Sequence, residues 1–310
     1  MDKKHVIFMG TPPIAAKVLQ ALIDSDVIID LVVTQPDKKT GRKQKLTVSA
    51  VKELALQHHI PVFQPVRIRT DHQAILDIPC DLIVTCAYGQ IVGQDILDHP
   101  RYGCVNLHGS LLPAYRGGAP IQRAIMNGDK QSGMSLMKMV KKMDAGPVQS
   151  QAVIEIEDTD NSTTLFEKMG DCAAELLKEQ LTVLLSGKAV YKEQDEQLAT
   201  FAPVIAREEE QIDLSADDKR IVDHIRGLSE EPGAYVIAGN KKLKIIDFVY
   251  EPKQDTQCGR FSAPDKKSLC LELHDGAIRI LSCQMEGKPR MPVKDFMNGQ
   301  GRSLINTAAR

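Results

Sequence analysis

The sequence predicts an α/β fold: a doubly wound, mostly parallel, Rossmann-like sheet domain followed by a small C-terminal β-barrel domain of OB-like type. Three observations predict it. The chain opens strand-turn-helix-strand, over residues 6–9, 15–24 and 28–34, which is how a doubly wound sheet begins. Near its middle, an apolar strand ends in polar side chains, followed by a glycine-rich loop and a helix start, the place where open α/β sheets put their ligands. Beyond residue 203 the texture changes to short strands punctuated by glycines and prolines, as in small barrels. At 310 residues two domains are expected, divided as 1–189, a linker over 190–203, and 204–310.

Taken in order, Val6-Ile7-Phe8-Met9 is a buried first strand and Gly10-Thr11-Pro12 its turn. The next helix carries Val18, Leu19, Leu22 and Ile23 on one stripe. Its turn lacks Gly-x-Gly-x-x-Gly, so no nicotinamide or flavin dinucleotide is indicated. A basic stretch, residues 38–45, holds five cations (Lys38, Lys39, Arg42, Lys43 and Lys45) and no apolar anchor. It reads as a solvated loop or as an arm that meets phosphates. A helix over 48–58, strand 62–63, helix 75–78 and strand 81–86 follow, the last leading into Ala87-Tyr88-Gly89-Gln90-Ile91-Val92. Strand 104–108, helix 120–127 and strand 134–140 form one strand-helix-strand unit, expected to be parallel with a right-handed crossover. Residues 148–157 alternate as a strand, and 163–185 form an amphipathic helix bearing Leu165, Met169, Ala173, Leu176, Leu177, Leu181 and Leu184. The polar stretch 191–200 reads as the linker. After it come a helix over 219–228 and strands near 234–238, 243–250, 268–273 and 277–283.

The central stretch carries the chemistry. In an extended chain, residues i and i+2 share a side, so Asn106 and His108 project together while Leu107 turns to the core. Pro120 falls in the first turn of the next helix, where its missing N–H costs nothing. If strands 104–108 and 134–140 lie side by side, Asp144 in the turn after the second reaches the His108 imidazole. An amide, an imidazole and a carboxylate without Gly-x-Ser-x-Gly do not make a covalent acyl enzyme. They fit direct acyl transfer, with Asn106 and His108 donating to a developing oxyanion and Asp144 orienting His108 and assisting proton transfer. Each residue alone also has an ordinary structural use, strand capping or an Asp turn. The residues by themselves reach an acyl-transfer or amide-hydrolysing site and no further.

Composition excludes several classes. The net charge is −2, and residues 204–310 hold 17 basic and 17 acidic side chains, so nucleic-acid contact must come from local patches. Seven scattered cysteines without Cys-x-x-Cys suit reduced thiols in a cytoplasm. No metal motif and no apolar run long enough for a signal peptide or membrane span is present, and nothing demands a dimer.

Asn106-x-His108, Ser110-Leu111-Leu112-Pro113 and Asp144-Ala145-Gly146-Pro147 together resemble the catalytic signature of the 10-formyltetrahydrofolate-dependent formyltransferases. Phe8-Met9-Gly10-Thr11-Pro12, Thr34-Gln35-Pro36-Asp37, Tyr115-Arg116-Gly117-Gly118-Ala119-Pro120-Ile121-Gln122 and Ile225-Arg226-Gly227-Leu228-Ser229 resemble the members whose acceptor is initiator methionyl-tRNA. The likeness covers nearly the whole chain. It implies a cytoplasmic enzyme of translation initiation with 10-formyltetrahydrofolate as co-substrate and no metal. It implies Asn106, His108 and Asp144 as the catalytic trio, and Ser110, Leu111, Leu112 and Pro113 with the backbone of Gln90, Ile91 and Val92 as the folate pocket. Arg42, Lys43 and Lys45 match an inserted loop that approaches the tRNA acceptor end, and the barrel holds more of the tRNA. The chain departs from the family pattern at Pro13, Ile14 and Ala114, and at Ser229-Glu230-Glu231-Pro232. Two other readings are the same chemistry on a small amine, such as glycinamide ribonucleotide or an amino-sugar nucleotide, and a tRNA-binding protein with a vestigial site.

Overall fold

The computed structural model describes residues 3–40 and 45–310. The elements of the first two-thirds of the chain are, in order, β1 (Lys4–Gly10), α1 (Pro13–Ile23), β2 (Val27–Val33), β3 (Lys38–Thr40), β4 (Lys45–Thr47), α2 (Ala50–Gln57), β5 (Val62–Phe63), α3 (Gln73–Leu76), β6 (Leu82–Cys86), α4 (Gln94–Leu97), β7 (Cys104–His108), α5 (Pro120–Met126), β8 (Gln131–Lys138), β9 (Val148–Glu155) and α6 (Ser162–Leu185). The chain divides into two compact units, and it passes between them more than once. The first comprises Met1–Pro120, Gln131–Glu155 and Phe166–Pro203; the second comprises Ile121–Lys130, Ile156–Leu165 and Val204–Arg310.

A seven-stranded sheet in the order β5-β2-β1-β6-β7-β8-β9 forms the first unit. β1 and β6 lie inside it and are parallel to their neighbours. Val6 to Met9 are fully buried, because a parallel strand covered on both faces reads as an unbroken apolar run rather than an alternating one. One face packs Ile7, Met9, Val33 and Ile83 against Ile68, Ile75, Ile96 and Leu97. α1 begins at a proline, α2 is capped by the Ser49 hydroxyl accepting from the Lys52 N–H at 3.0 Å, and α6 buries Leu165, Met169, Ala173, Leu177 and Leu181 on one stripe.

One topological expectation is overturned. β8 runs antiparallel to β7, with His108 opposite Ser135 and Val105 opposite Lys138, and β9 antiparallel to β8. A parallel return requires the intervening helix to cross the face of its sheet. Here residues 121–130, including most of α5, pack within the second unit instead, so the chain re-enters the sheet at the end where it left. On either side of residues 41–44, β3 and β4 pair antiparallel, Lys38 with Thr47 and Thr40 with Lys45.

The second unit adds α7 (Asp218–Leu228), β10 (Tyr235–Ala238), β11 (Lys241–Pro252), β12 (Phe261–Ser262), β13 (Leu269–Glu272), β14 (Gly276–Met285), β15 (Met291–Pro292) and α8 (Val293–Met297). Its strands are antiparallel in the order β10-β11-β14-β13-β12, with β15 also on β14. Ile225, Leu228, Val236, Ile245, Phe261, Leu271, Ile278 and Phe296 share its core. Both ends of this order are paired. Arg310 exchanges two main-chain hydrogen bonds with Ile237, and Asn306 N–H, Phe261 N–H and Ala309 N–H tie the same tail to residues 259–261 and 307. The C-terminal residues thus lie between β10 and β12 and leave no open edge there, which is how a small barrel avoids unpaired backbone. Among the described residues, no helix is long and apolar enough to cross a membrane.

Candidate active site

β7 carries two of the three predicted catalytic side chains, and the geometry around it fixes both. Thr85 stands opposite Asn106 on β6, and its hydroxyl lies 2.7 Å from Asn106 Oδ1. With the carbonyl oxygen held there, the amide N–H₂ is the end left to donate. His108 is buried. Its Nε2 sits 3.0 Å from the Tyr115 carbonyl oxygen, an atom that only accepts, so Nε2 carries the proton in this arrangement. Its Nδ1 lies 3.7 Å from Asp144 Oδ1.

Asp144 reaches His108 by a different route from the one expected. With β8 antiparallel, the 139–147 connection starts level with Cys104, whose carbonyl accepts from Met139 N–H at 2.8 Å, and returns Asp144 to the far end of β7. The other carboxylate oxygen, Oδ2, accepts from Gly117 N–H at 2.9 Å. Asp144 adopts a left-handed backbone at φ 51, and Tyr115 does so at φ 61, conformations that cost energy for side-chain-bearing residues and that are held by the surrounding hydrogen bonds.

The 110–113 loop is built from beneath. Ser135, fully buried opposite His108, accepts from Leu112 N–H at 3.0 Å and donates to the Ser110 carbonyl at 2.6 Å. Gln151 on β9 donates to both the Leu112 carbonyl and Ser135 Oγ. Gly133 permits this packing: a Cβ there would lie 2.1 Å from the Ala152 carbonyl oxygen and 2.6 Å from Leu111. Leu112 and Ser110 are buried, while Leu111 and Pro113 keep part of their surface exposed. Across the sheet edge, the Gln90 side chain turns away, accepting from Ile68 N–H and donating to the Pro65 carbonyl. Ile91 is exposed and Val92 buried. Among the described residues, none pairs with the main-chain groups of Gln90, Ile91 or Val92.

Arg42 and Lys43 lie outside the described residues; Lys45 begins β4. Just before β3, Asp37 is bound by Lys52 Nζ at 2.7 Å and by Gln64, which holds its carboxyl below the usual range, the Lys52 bond contributing most. In the second unit, two basic side chains are engaged within the unit: Lys242 stacks over the Tyr235 ring at 3.9 Å and Arg290 pairs with Glu230 at 2.7 Å. A cavity of about 770 Å³ opens at the other end of β7, around Tyr102, Gly103, Lys138 and Tyr191, and none of the trio lines it. Among the described residues, no group of three or more His, Cys, Asp or Glu is placed to hold a metal ion.

Thr85, Ser135, Gln151 and Gln194 escape sequence reasoning. Ser135 is a polar residue within the apolar run of a strand buried on both faces, the one signal that could have drawn attention to it.

Comparison with known proteins finds matches over most of both units. A family model described as formyl transferase matches residues 3–181, and one described as formyl transferase, C-terminal domain, matches residues 204–301. The chain belongs to the formyl transferase family. Within it, methionyl-tRNA formyltransferase of Lactobacillus johnsonii is 43% identical over 303 residues, covering 96% of this chain and 95% of that one. The protein of the same name from Listeria monocytogenes serotype 4b is 43% identical over 307 residues, covering 97% of each. Two solved structures share the family fold at low identity. HypX from Aquifex aeolicus in complex with tetrahydrofolic acid superposes with a TM-score of 0.69 at 17% identity, covering 98% of this chain and 48% of that one. The N-formyltransferase from Helicobacter canadensis, in complex with folinic acid and dTDP-3-aminofucose, gives 0.68 at 18% identity, covering 90% and 98%.

Proposed function

We propose that this chain transfers a formyl group from 10-formyltetrahydrofolate to the α-amino group of methionyl initiator tRNA. The observation that carries the reading is the convergence of Asn106, His108 and Asp144 at the end of β7, in a chain matched along almost its whole length by relatives of that name. The amine nitrogen attacks the formyl carbon, and the carbonyl oxygen takes up negative charge. The Asn106 amide, aimed by Thr85, donates to that oxygen. His108 joins it when Nε2 exchanges the Tyr115 carbonyl for the substrate oxygen, and Asp144 stabilises the doubly protonated ring. The proton lost by the attacking amine then passes to the departing folate nitrogen through this pair.

The residues present fit the folate. Main-chain groups of Gln90, Ile91 and Val92, unpaired among the described residues, suit a flat ring with donors and acceptors along its edge, and Ser110, Leu111, Leu112 and Pro113 supply the facing wall. Arg42, Lys43 and Lys45 are assigned to phosphates near the tRNA acceptor end. Residues 1–189 carry the chemistry, 190–203 connect, and 204–310 hold the body of the tRNA; the enzyme acts as a cytoplasmic monomer.

The test is transfer from 10-formyltetrahydrofolate to initiator methionyl-tRNA, beside elongator methionyl-tRNA and glycinamide ribonucleotide. Transfer to the initiator species alone is expected. Transfer to glycinamide ribonucleotide with none to either tRNA would overturn the acceptor assignment and leave a small-amine formyltransferase.

A further inference from the structure

The polar stretch before residue 203 has no apolar periodicity, yet it is fastened at both ends. Lys192 exchanges two main-chain hydrogen bonds of 2.8 Å with Val148 at the start of β9. Further on, Arg116 N–H donates to the Thr200 carbonyl at 2.9 Å, Ala202 N–H to the Arg116 carbonyl at 2.8 Å, and Ala119 N–H to the Ala202 carbonyl at 3.1 Å. The Thr200 hydroxyl also accepts from Tyr115 N–H at 2.9 Å. This contact is close enough that a Cβ on Gly117, at φ 128, would lie 2.6 Å from the Ala202 carbonyl oxygen.

Between the two anchors lies Gln194, and its amide is fully used. Nε2 donates to the Asp144 carbonyl at 2.8 Å and to the Gly146 carbonyl at 2.7 Å. Oε1 accepts from Arg116 Nε at 3.0 Å and Nη2 at 2.8 Å. Exchanging the two ends of the amide would set N–H₂ against a guanidinium and oxygen against two carbonyls, so this orientation alone satisfies every group. The guanidinium is itself buried, with Nη1 in ion-pair contact with Glu196 at 2.9 Å, and Glu196 also binds Lys142 at 2.7 Å. Asp144 is therefore gripped twice from one place. Its carboxylate is bound by Gly117, the neighbour of Arg116, and its left-handed main chain by Gln194, which rests on Arg116. Oδ1 is left facing His108.

We propose that Gln194 is a positioning residue for Asp144, setting the carboxylate against His108 from a segment that contributes no atom to the reaction. This rests on the role given to Asp144 above. A loose connector would need none of these bonds; a buttress needs all of them, since a shift of about 1 Å at a reacting group costs on the order of 100-fold in rate.

The experiment uses the full chain carrying Gln194→Glu. The carboxylate keeps its contact with Arg116 but turns two donors into an acceptor facing two carbonyl oxygens. Formyl transfer is expected to fall in kcat by about 10–100-fold, with KM for both substrates within about threefold. In an Asp144→Asn background the same substitution is expected to cost nothing further, because both act through one group. Wild-type kcat, or a loss that multiplies with that of Asp144→Asn, would overturn the proposal. Gln194→Met, apolar and of similar length, serves the same cycle if the Glu variant does not fold. A readout independent of turnover is the ¹⁵N shifts of the His108 ring at fixed pH. Gln194→Glu is expected to move them in the direction that Asp144→Asn does, and unmoved shifts would refute the positioning role. If the unsubstituted chain transfers no formyl group, the reading of the reaction fails, and the ring shifts still decide for or against Gln194.

Discussion

Asp144→Asn tests the catalytic reading most directly, because the substitution removes a charge and little else. Gly117 N–H donates to Oδ2 at 2.9 Å, and an amide oxygen accepts that bond as well, so the turn keeps its tie. The facing atom, Oδ1, lies 3.7 Å from His108 Nδ1, with both side chains largely withdrawn from water. At an effective dielectric constant of about 20, opposite unit charges at that separation attract by about 4 kcal/mol. Such a term is felt only when the ring carries its second proton, as it does while the proton moves between the two nitrogens. Losing it raises the barrier by nearly the full amount, which corresponds to about 10³-fold in rate. Substrate binding is unaffected, so the loss belongs in kcat. The assay is steady-state formyl transfer to methionyl-tRNA, with folate binding measured separately. A variant within about threefold of the wild-type kcat would refute the electrostatic role, whatever else the turn does.

Three further outcomes are expected. Ser135→Ala strands the buried Leu112 N–H and Ser110 carbonyl and costs about 2–3 kcal/mol; thermal unfolding reads the loss, and KM for the folate rises more than KM for the tRNA. An unchanged folate KM would remove Ser135 from support of that wall. Arg42→Ala is expected to weaken tRNA use and to reduce the slope of log K against log salt by about one; an unchanged slope would return the arm to a solvated loop. The third concerns pH. Burial holds His224 below the ordinary imidazole value in the folded chain, its Nε2–H donating to the Glu209 carbonyl at 2.8 Å. The unfolded chain therefore binds this proton first as pH falls. The stability linked to His224 is complete above about pH 6.5 and is lost as pH drops from there through the folded-state value. His224→Gln should flatten that stretch of the stability profile, and a fall as steep as in the wild type would refute it.

What the sequence determined by itself depends on neighbours along the chain. The unbroken apolar run Val6-Ile7-Phe8-Met9 marked a strand buried on both faces, and the stripe from Leu165 to Leu184 marked one long helix. The i, i+2 spacing put Asn106 and His108 on one side of β7, because alternation is a property of any extended backbone. The motif strings, read together, carried the family. The direction of β8 was not legible, since it depends on where residues 121–130 find their packing, and they find it in the second unit. Nor was the source of the groups that fix the trio. Thr85 lies on a neighbouring strand, Ser135 opposite His108, and Gln194 far along a polar stretch that no periodicity distinguishes from a connector. Asn106, His108 and Asp144 were singled out by residue type, spacing and the motifs around them. What holds them in place is hydrogen bonding between distant segments, and only the folded chain brings those partners within reach.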